Sequence, residues 1–277
     1  MAKPKGSDLV VKSNQLIEAR YRLSLVEQQI IGYAIVCARE NQKGLFADQP
    51  ITIRAADFAA QFNCEAGSVY GQLKDAMTKL YERSVVLFSI DERGIDVVTK
   101  TRWISQASYL NGAGEISFIF APAMIDYVTR LDKSEFTQYK LSQISGMTSW
   151  YAVRIYELLV QYLTIGSRTI RLAELKEMLC IEAEYPSIKD FKKWVVDVAI
   201  TQINERSDLA VAYEQRKTGR NVTHFDFQIK LKAEDKPKAK KKPVADRSYV
   251  EKHARPGESY DQAYRRLAED AGQRRLV

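Results

Sequence analysis

A helix, a short β-rich run, two more helices and several β-rich segments fill the first half of this 277-residue sequence, and the same order returns in the second half. Helix-turn-helix followed by a β-hairpin is the plan of a winged-helix domain, so the sequence predicts an α+β fold of two tandem winged-helix domains. The length and a 45% hydrophobic content suit two cores better than one. A lysine- and proline-rich stretch after Lys232 predicts that the folded part ends there and a basic, largely disordered tail follows.

In the first half, "SLVEQQIIGYAIVCARE" sets Leu25, Ile30 or Ile31, Ala34 and Cys37 or Ala38 at helical spacing. Ser24 is placed to cap this helix, and Glu27 to complete a capping box. "PITIR" is a short strand, "AADFAAQFN" a short helix and "CEAGS" a turn. "SVYGQLKDAMTKLYERS" is a longer helix with Val69, Leu73, Met77 and Leu80 on one stripe. The strands "SVVLFSI" and "IDVVTKTRWISQASYL" flank the turn "DERG", and "EISFIFA" is a third. "PAMIDYVTRL" is a helix leading into a linker, "DKSEFTQYKLSQISG".

The second half repeats the plan with "MTSWYAVRIYELLVQYL" as opening helix, "RTIRL" as strand and "LAELKEMLC" as short helix. Residues 187–205 form the second long helix, and "DLAVAYEQRKTGRNVTHFDFQIKLK" a hairpin with Gly219 at its tip. The expected boundaries are a first domain over residues 1–133, used for dimerisation and DNA contact, a second over 134–232, and a tail over 233–277. Within the tail, "SYDQAYRRLAEDAGQRR" is either a short helix or a solvated segment.

A net charge of +7 points towards nucleic acid, yet the tail's 12 Lys+Arg against 8 Asp+Glu leave only +3 on the other 232 residues. Location therefore matters more than the sum. No long apolar run reads as a membrane span and no apolar stretch opens the chain as a signal peptide, so a cytoplasmic protein without membrane partners is expected. Cys37, Cys64 and Cys180 lack paired spacing and read as small buried hydrophobes. Two histidines, His224 and His253, make neither a metal site nor a Ser-His-Asp arrangement. Neither a phosphate-binding glycine loop nor a dinucleotide fingerprint occurs. The sequence thus predicts no catalytic residue, metal or cofactor, and no enzyme.

The most informative stretch is "EYPSIKDFKKWVVDVAITQINERSD". A 3.6-residue period buries Ile188, Phe191, Val195, Val198, Ala199 and Ile203, and leaves Lys189, Lys192 and Lys193 on the other side. Cations stabilise helix C-termini, so lysines in the first turns are misplaced for the helix itself but well placed for phosphate or base edges. Asp190 suits the N-terminus and can accept from cytosine N4. Arg216, Lys217 and Arg220 gather at the hairpin tip, where a wing meets the DNA backbone or minor groove. The first long helix offers Ser68, Tyr70, Gly71, Gln72, Lys74 and Asp75, with Gly71 costly in a helix by about 1 kcal/mol unless a partner approaches closely. That helix could face DNA, another protein, or each in turn.

"FTQYKLSQISGMTSWYAVRIYELLVQYL" and "YPSIKDFKKWVVDVAITQINERSDLAVAYEQRKTGRNVTHFDF" closely resemble the iteron-binding replication initiators of theta-replicating plasmids. "YA-R-YELL", "DFK", "INERS" and "Y-x-x-x-K-x-GR" occur in order, and "SLVEQQII" and "LKDAMTKL" extend the likeness over roughly residues 8–232. The resemblance implies two winged-helix domains with recognition helices in consecutive major grooves. It implies monomers that bind origin direct repeats, help open the origin and recruit a host initiator ATPase and replicative helicase. It also implies a monomer–dimer equilibrium, the dimer joining largely through the first domain, binding an inverted-repeat operator and repressing its own gene. Base contacts carried over by resemblance fall on Ser187, Ile188, Asp190, Lys192 and Lys193. Lys192, Lys193 and Trp194 stand where relatives are arginine-rich, and lysine lacks the bidentate fork. A winged-helix transcriptional repressor with no replication role is the alternative reading.

Overall fold

The computed structural model describes residues 8–41, 44, 46, 48–110, 112–128 and 135–232, and residues 262, 266 and 267 beyond them. Residues 1–232 form one compact unit. The expected domain boundary at Ser134, the basic run of the tail and His253 lie outside the described residues.

The chain begins with strand β1 (Leu9–Ser13), short helix α1 (Asn14–Glu18) and long helix α2 (Leu25–Asn41). The capping box at the start of α2 is formed: Ser24 N donates to Glu27 Oε2 at 2.7 Å, and Glu27 N donates to Ser24 Oγ at 3.3 Å. Helix α2 is buried on nearly every side, including Glu27, Gln28 and Gln29, because it runs through the middle of the molecule with α7 of the second half against it. Strand β2 (Ile51–Arg54) leads into α3 (Ala55–Phe62) and α4 (Ala66–Glu82). Val69, Leu73, Met77 and Leu80 of α4 all face the core, as their period requires.

Strands β3 (Ser84–Ile90) and β4 (Asp96–Arg102) form the first hairpin, whose turn holds Gly94 at φ +79°. The β-rich run from Ile95 to Leu110, expected as one strand, is two. It breaks at Trp103, which is fully buried and packs edge-on against Tyr21 with ring centroids 4.9 Å apart. Driving that indole into the core turns the chain, so β5 (Ile104–Leu110) leaves the hairpin and joins the sheet β2-β6-β5 through β6 (Glu115–Phe120). Helix α5 (Pro122–Val128) follows.

The segment expected as a linker is instead strand β7 (Phe136–Lys140) and helix α6 (Ser142–Ser145). Strand β7 pairs antiparallel with β1, Val11 opposite Gln138, and buries Thr137 and Tyr139. Then come α7 (Trp150–Val160), β8 (Ser167–Arg171), α8 (Leu172–Met178), α9 (Ile188–Phe191), a π-helical turn (Lys192–Val196), α10 (Asp197–Arg206), β9 (Leu209–Thr218) and β10 (Asn221–Leu231). The sheet order β8-β10-β9 completes the second winged-helix plan, with Gly219 at φ +63° in the hairpin tip.

Two devices join the halves. Arg154 and Glu157, from the "YA-R-YELL" motif on α7, sit in the core: Lys12 Nζ reaches Glu157 at 2.6 Å, Arg154 reaches it at 3.0 Å, and the Tyr139 hydroxyl donates to it at 2.6 Å. Arg154 also donates to the Ile17 and Ala19 carbonyls. Burial pushes the Glu157 carboxyl up, but Lys12 and Arg154 outweigh it and hold the group down at about 2. Beside this core network, Ala19, Tyr21 and Leu23 point inwards while Glu18, Arg20 and Arg22 reach the second half. Glu18 pairs with Arg168 at 2.8 Å, Arg20 with Glu177 and Arg22 with Glu184. The alternation is that of extended backbone, one face apolar and one charged.

Candidate nucleic-acid interface

Pro186 and Ser187 end the preceding loop, and the Ser187 Oγ accepts from Asp190 N at 3.4 Å to start the second long helix. Phe191, Val195, Ala199 and Ile203 are buried as the period predicts. Ile188 and Val198 are only half-buried, and Val196 and Ile200 take core places instead. The π turn is the reason: its i→i+5 pattern inserts a residue and rotates everything after it relative to an uninterrupted α-helix.

Outside, Lys189, Asp190, Lys193, Trp194 and Asp197 form an exposed strip. Lys192, expected on this outer side, is half-buried on the flank with its ammonium 5.8 Å from the centroid of the Tyr213 ring. The Tyr213 hydroxyl donates to Asp197 Oδ1, which fixes the helix beside wing strand β9. Lys189 and Lys193 have no ion-pair partner among the described residues.

In the second wing, residues 214–221 are all exposed. Lys217 and Arg220 extend from it into solvent with no ion pair among the described residues. Arg216 differs: it pairs with Asp226 across the hairpin, Nη2 to Oδ1 at 2.6 Å and Nε to Oδ2 at 3.1 Å. Thr169 Oγ1 also donates to Asp226 at 2.7 Å, and this hydrogen bond first, with Arg216, holds that carboxyl below its ordinary range. The wing's cations therefore fall into one already neutralised in the fold and two available.

On α4, Ser68, Gly71, Gln72, Lys74 and Asp75 are exposed, while Tyr70 is half-buried against the core. Gln72 donates to Ser68 Oγ at 3.1 Å, and the Lys74 ammonium lies 5.7 Å from the Tyr109 ring centroid. A Cβ at Gly71 would meet no atom within 4 Å, so nothing in the chain's own packing asks for glycine there. The first hairpin contrasts with the second, exposing Phe88, Ile90, Ile95, Val97 and Val98. The sequence reading passed over this apolar surface. Its signal was an unbroken apolar run in "SVVLFSI", where a strand with one wet face would alternate.

Among the described residues no group of three or more His, Cys, Asp or Glu is placed to hold a metal ion, and no helix is long and apolar enough to cross a membrane. Cys37, Cys64 and Cys180 are free thiols and half-buried, less enclosed than expected. Burial pushes the Cys37 thiol up to about 11, away from reactivity.

The sequence matches the family described as Initiator Replication protein, WH1, over residues 9–160, and Initiator Rep protein, WH2, over residues 171–229. A Replication initiation protein of Escherichia coli is 25% identical over 232 residues, covering 81% of this chain and 71% of the relative. An uncharacterized 27.6 kDa protein of Escherichia coli is 24% identical over 220 residues, covering 76% of this chain and 91% of its own length. Among solved structures, the Pi initiator protein in complex with iteron DNA shares the fold with a TM-score of 0.67 at 22% identity, over 85% of this chain and 100% of that one.

Proposed function

Since the chain belongs to the initiator replication protein family, through matches that span both of its winged-helix domains, we propose that it is a plasmid replication initiator that binds the direct repeats of its origin as a monomer. The observation carrying this reading is the strip Lys189, Asp190 and Lys193, exposed on the second recognition helix and flanked by Lys217 and Arg220 on the wing. The helix supplies base-edge contacts in a major groove, with Ser187 and Ile188 at its entry and Lys192 towards the wing-side backbone. The wing cations meet phosphate, which adds affinity without sequence. Ser68, Gly71, Gln72, Lys74 and Asp75 occupy the corresponding outer face of α4, and Tyr70 borders it.

Two tandem domains of this kind span about two helical turns of repeat. The bound monomer promotes origin opening and recruits the host initiator ATPase and replicative helicase by protein contact, with no catalytic step or cofactor of its own. The dimer joins through the first domain and represses the protein's own gene at an inverted repeat. The apolar outer face of the β3–β4 hairpin supports that assignment, because such a surface suits a protein partner better than a phosphate backbone.

The test is a plasmid carrying only this gene and its flanking repeats, together with a footprint of the purified protein on those repeats. Replication and protection of each repeat are expected. Protection without replication leaves the protein a repressor, and nicked circles from supercoiled origin DNA with magnesium would make it an enzyme.

A further inference from the structure

The three tryptophans differ sharply in setting: Trp103 is fully buried, Trp150 half-buried, and Trp194 is 52% exposed. Position 194 does not look like an outward site in the sequence. It lies three residues after Phe191 and four before Val198, which on an α-helix is the flank of the buried stripe. The π turn from Lys192 to Val196 changes this, because a turn of i→i+5 pattern rotates less per residue. Val195 and Val196 take the inward places, and the indole is left on the exposed strip between Lys193 and Asp197.

From these placements we propose that Trp194 reads sequence, its indole packing on the C5-methyl group of a thymine in the major groove of the repeat. The inference rests on the DNA-binding reading above and deepens it. The surroundings single out this ligand. Trp194 stands alone among charged neighbours, whereas the exposed apolar residues that would suit a protein partner are gathered on the β3–β4 hairpin. Within a groove of donors, acceptors and flanking phosphates, the thymine methyl is the apolar feature an indole can match. The Lys193 ammonium lies 4.5 Å from the centroid of the Trp194 ring, so the side chain carries a cation beside it to a polyanion. Six residues past Ile188, at about 1.5 Å each, places the indole roughly 9 Å along the helix, within reach of base pairs two or three steps from those met by its first turn.

The experiment uses the full chain and a repeat in which each thymine in turn is replaced by deoxyuridine, which removes only the methyl group. One or two positions should weaken binding about three- to fourfold, the worth of one buried methyl-sized group. Trp194→Ala should bind the unmodified repeat more weakly and lose that penalty at those positions, whereas Trp194→Phe should keep it. Circular dichroism and thermal melting check that each variant folds, and Trp194→Gln serves as a second truncation. If no deoxyuridine position matters to the wild type, or Trp194→Ala and Trp194→Gln keep every penalty, the inference is overturned while the initiator reading stands. If the wild type does not recognise the repeats at all, the DNA-binding reading itself has failed.

Discussion

Lys12 and Glu157 lie 145 residues apart in sequence, yet their ammonium and carboxylate meet at 2.6 Å in the core with 4% and 1% of their side chains exposed. Removing one partner strands a buried charge, at a cost of about 3–5 kcal/mol. Lys12→Met is therefore predicted to be severely destabilising in urea denaturation. A fall in stability below about 1 kcal/mol would show that the pair does not hold the halves together.

The same carboxyl fixes a pH dependence. Its native value of about 2 lies below its ordinary 4.5, so its contribution to stability is present above about 4.5 and is lost as pH falls from there towards 2. Acid titration monitored by tryptophan fluorescence should lose cooperativity across this window in the wild type. Glu157→Gln, less stable at neutral pH, should show a flatter dependence in that window.

Charge reversal Lys193→Glu is predicted to abolish specific binding and leave the melting temperature within a few degrees, since the residue is exposed. Alanine at Lys217 or Arg220 should weaken binding to all sequences alike and lower the salt slope by about 1 per lost phosphate contact. Arg216→Ala should instead disturb the hairpin, because it leaves Asp226 without its cation.

Gly71→Ala should stabilise the fold by up to about 1 kcal/mol, because the position is helical and a Cβ meets nothing in the chain. Affinity for the repeats, measured beside stability, reports on what faces α4: a tenfold loss places DNA against Gly71, and no loss places it elsewhere.

Val98→Lys is predicted to leave the monomer folded and shift sedimentation equilibrium towards monomer, since Val98 is 63% exposed opposite Phe88 on the first hairpin. An unchanged dimer fraction would remove this face from the self-association surface.

Elements governed by short-range rules were legible in the sequence. The stripe of Val69, Leu73, Met77 and Leu80, the Ser24–Glu27 capping box and the Gly219 hairpin each depend on residues within one or two turns of one another. The β1–β7 ladder was not, because Val11 and Gln138 carry no local sign of each other. The break at Trp103 was hidden because a β-rich run does not reveal which sheet each part will join. The exposed strip on the second recognition helix was legible for Lys189, Asp190 and Lys193. Lys192 was misplaced and Trp194 overlooked for one reason: a period of 3.6 cannot anticipate a π turn.

Strand β1 finds its ladder partner only at Phe136–Lys140 and its ion-pair partner only at Glu157. During synthesis, at about 5–20 residues per second, Lys12 must wait roughly ten to thirty seconds for that partner to emerge. The first winged helix therefore closes late, after much of the second has begun to appear, and the high contact order makes this closure a slow step. A chain shortened by its first dozen residues would lose the piece that completes assembly, so its defect should register first as low yield and aggregation during expression.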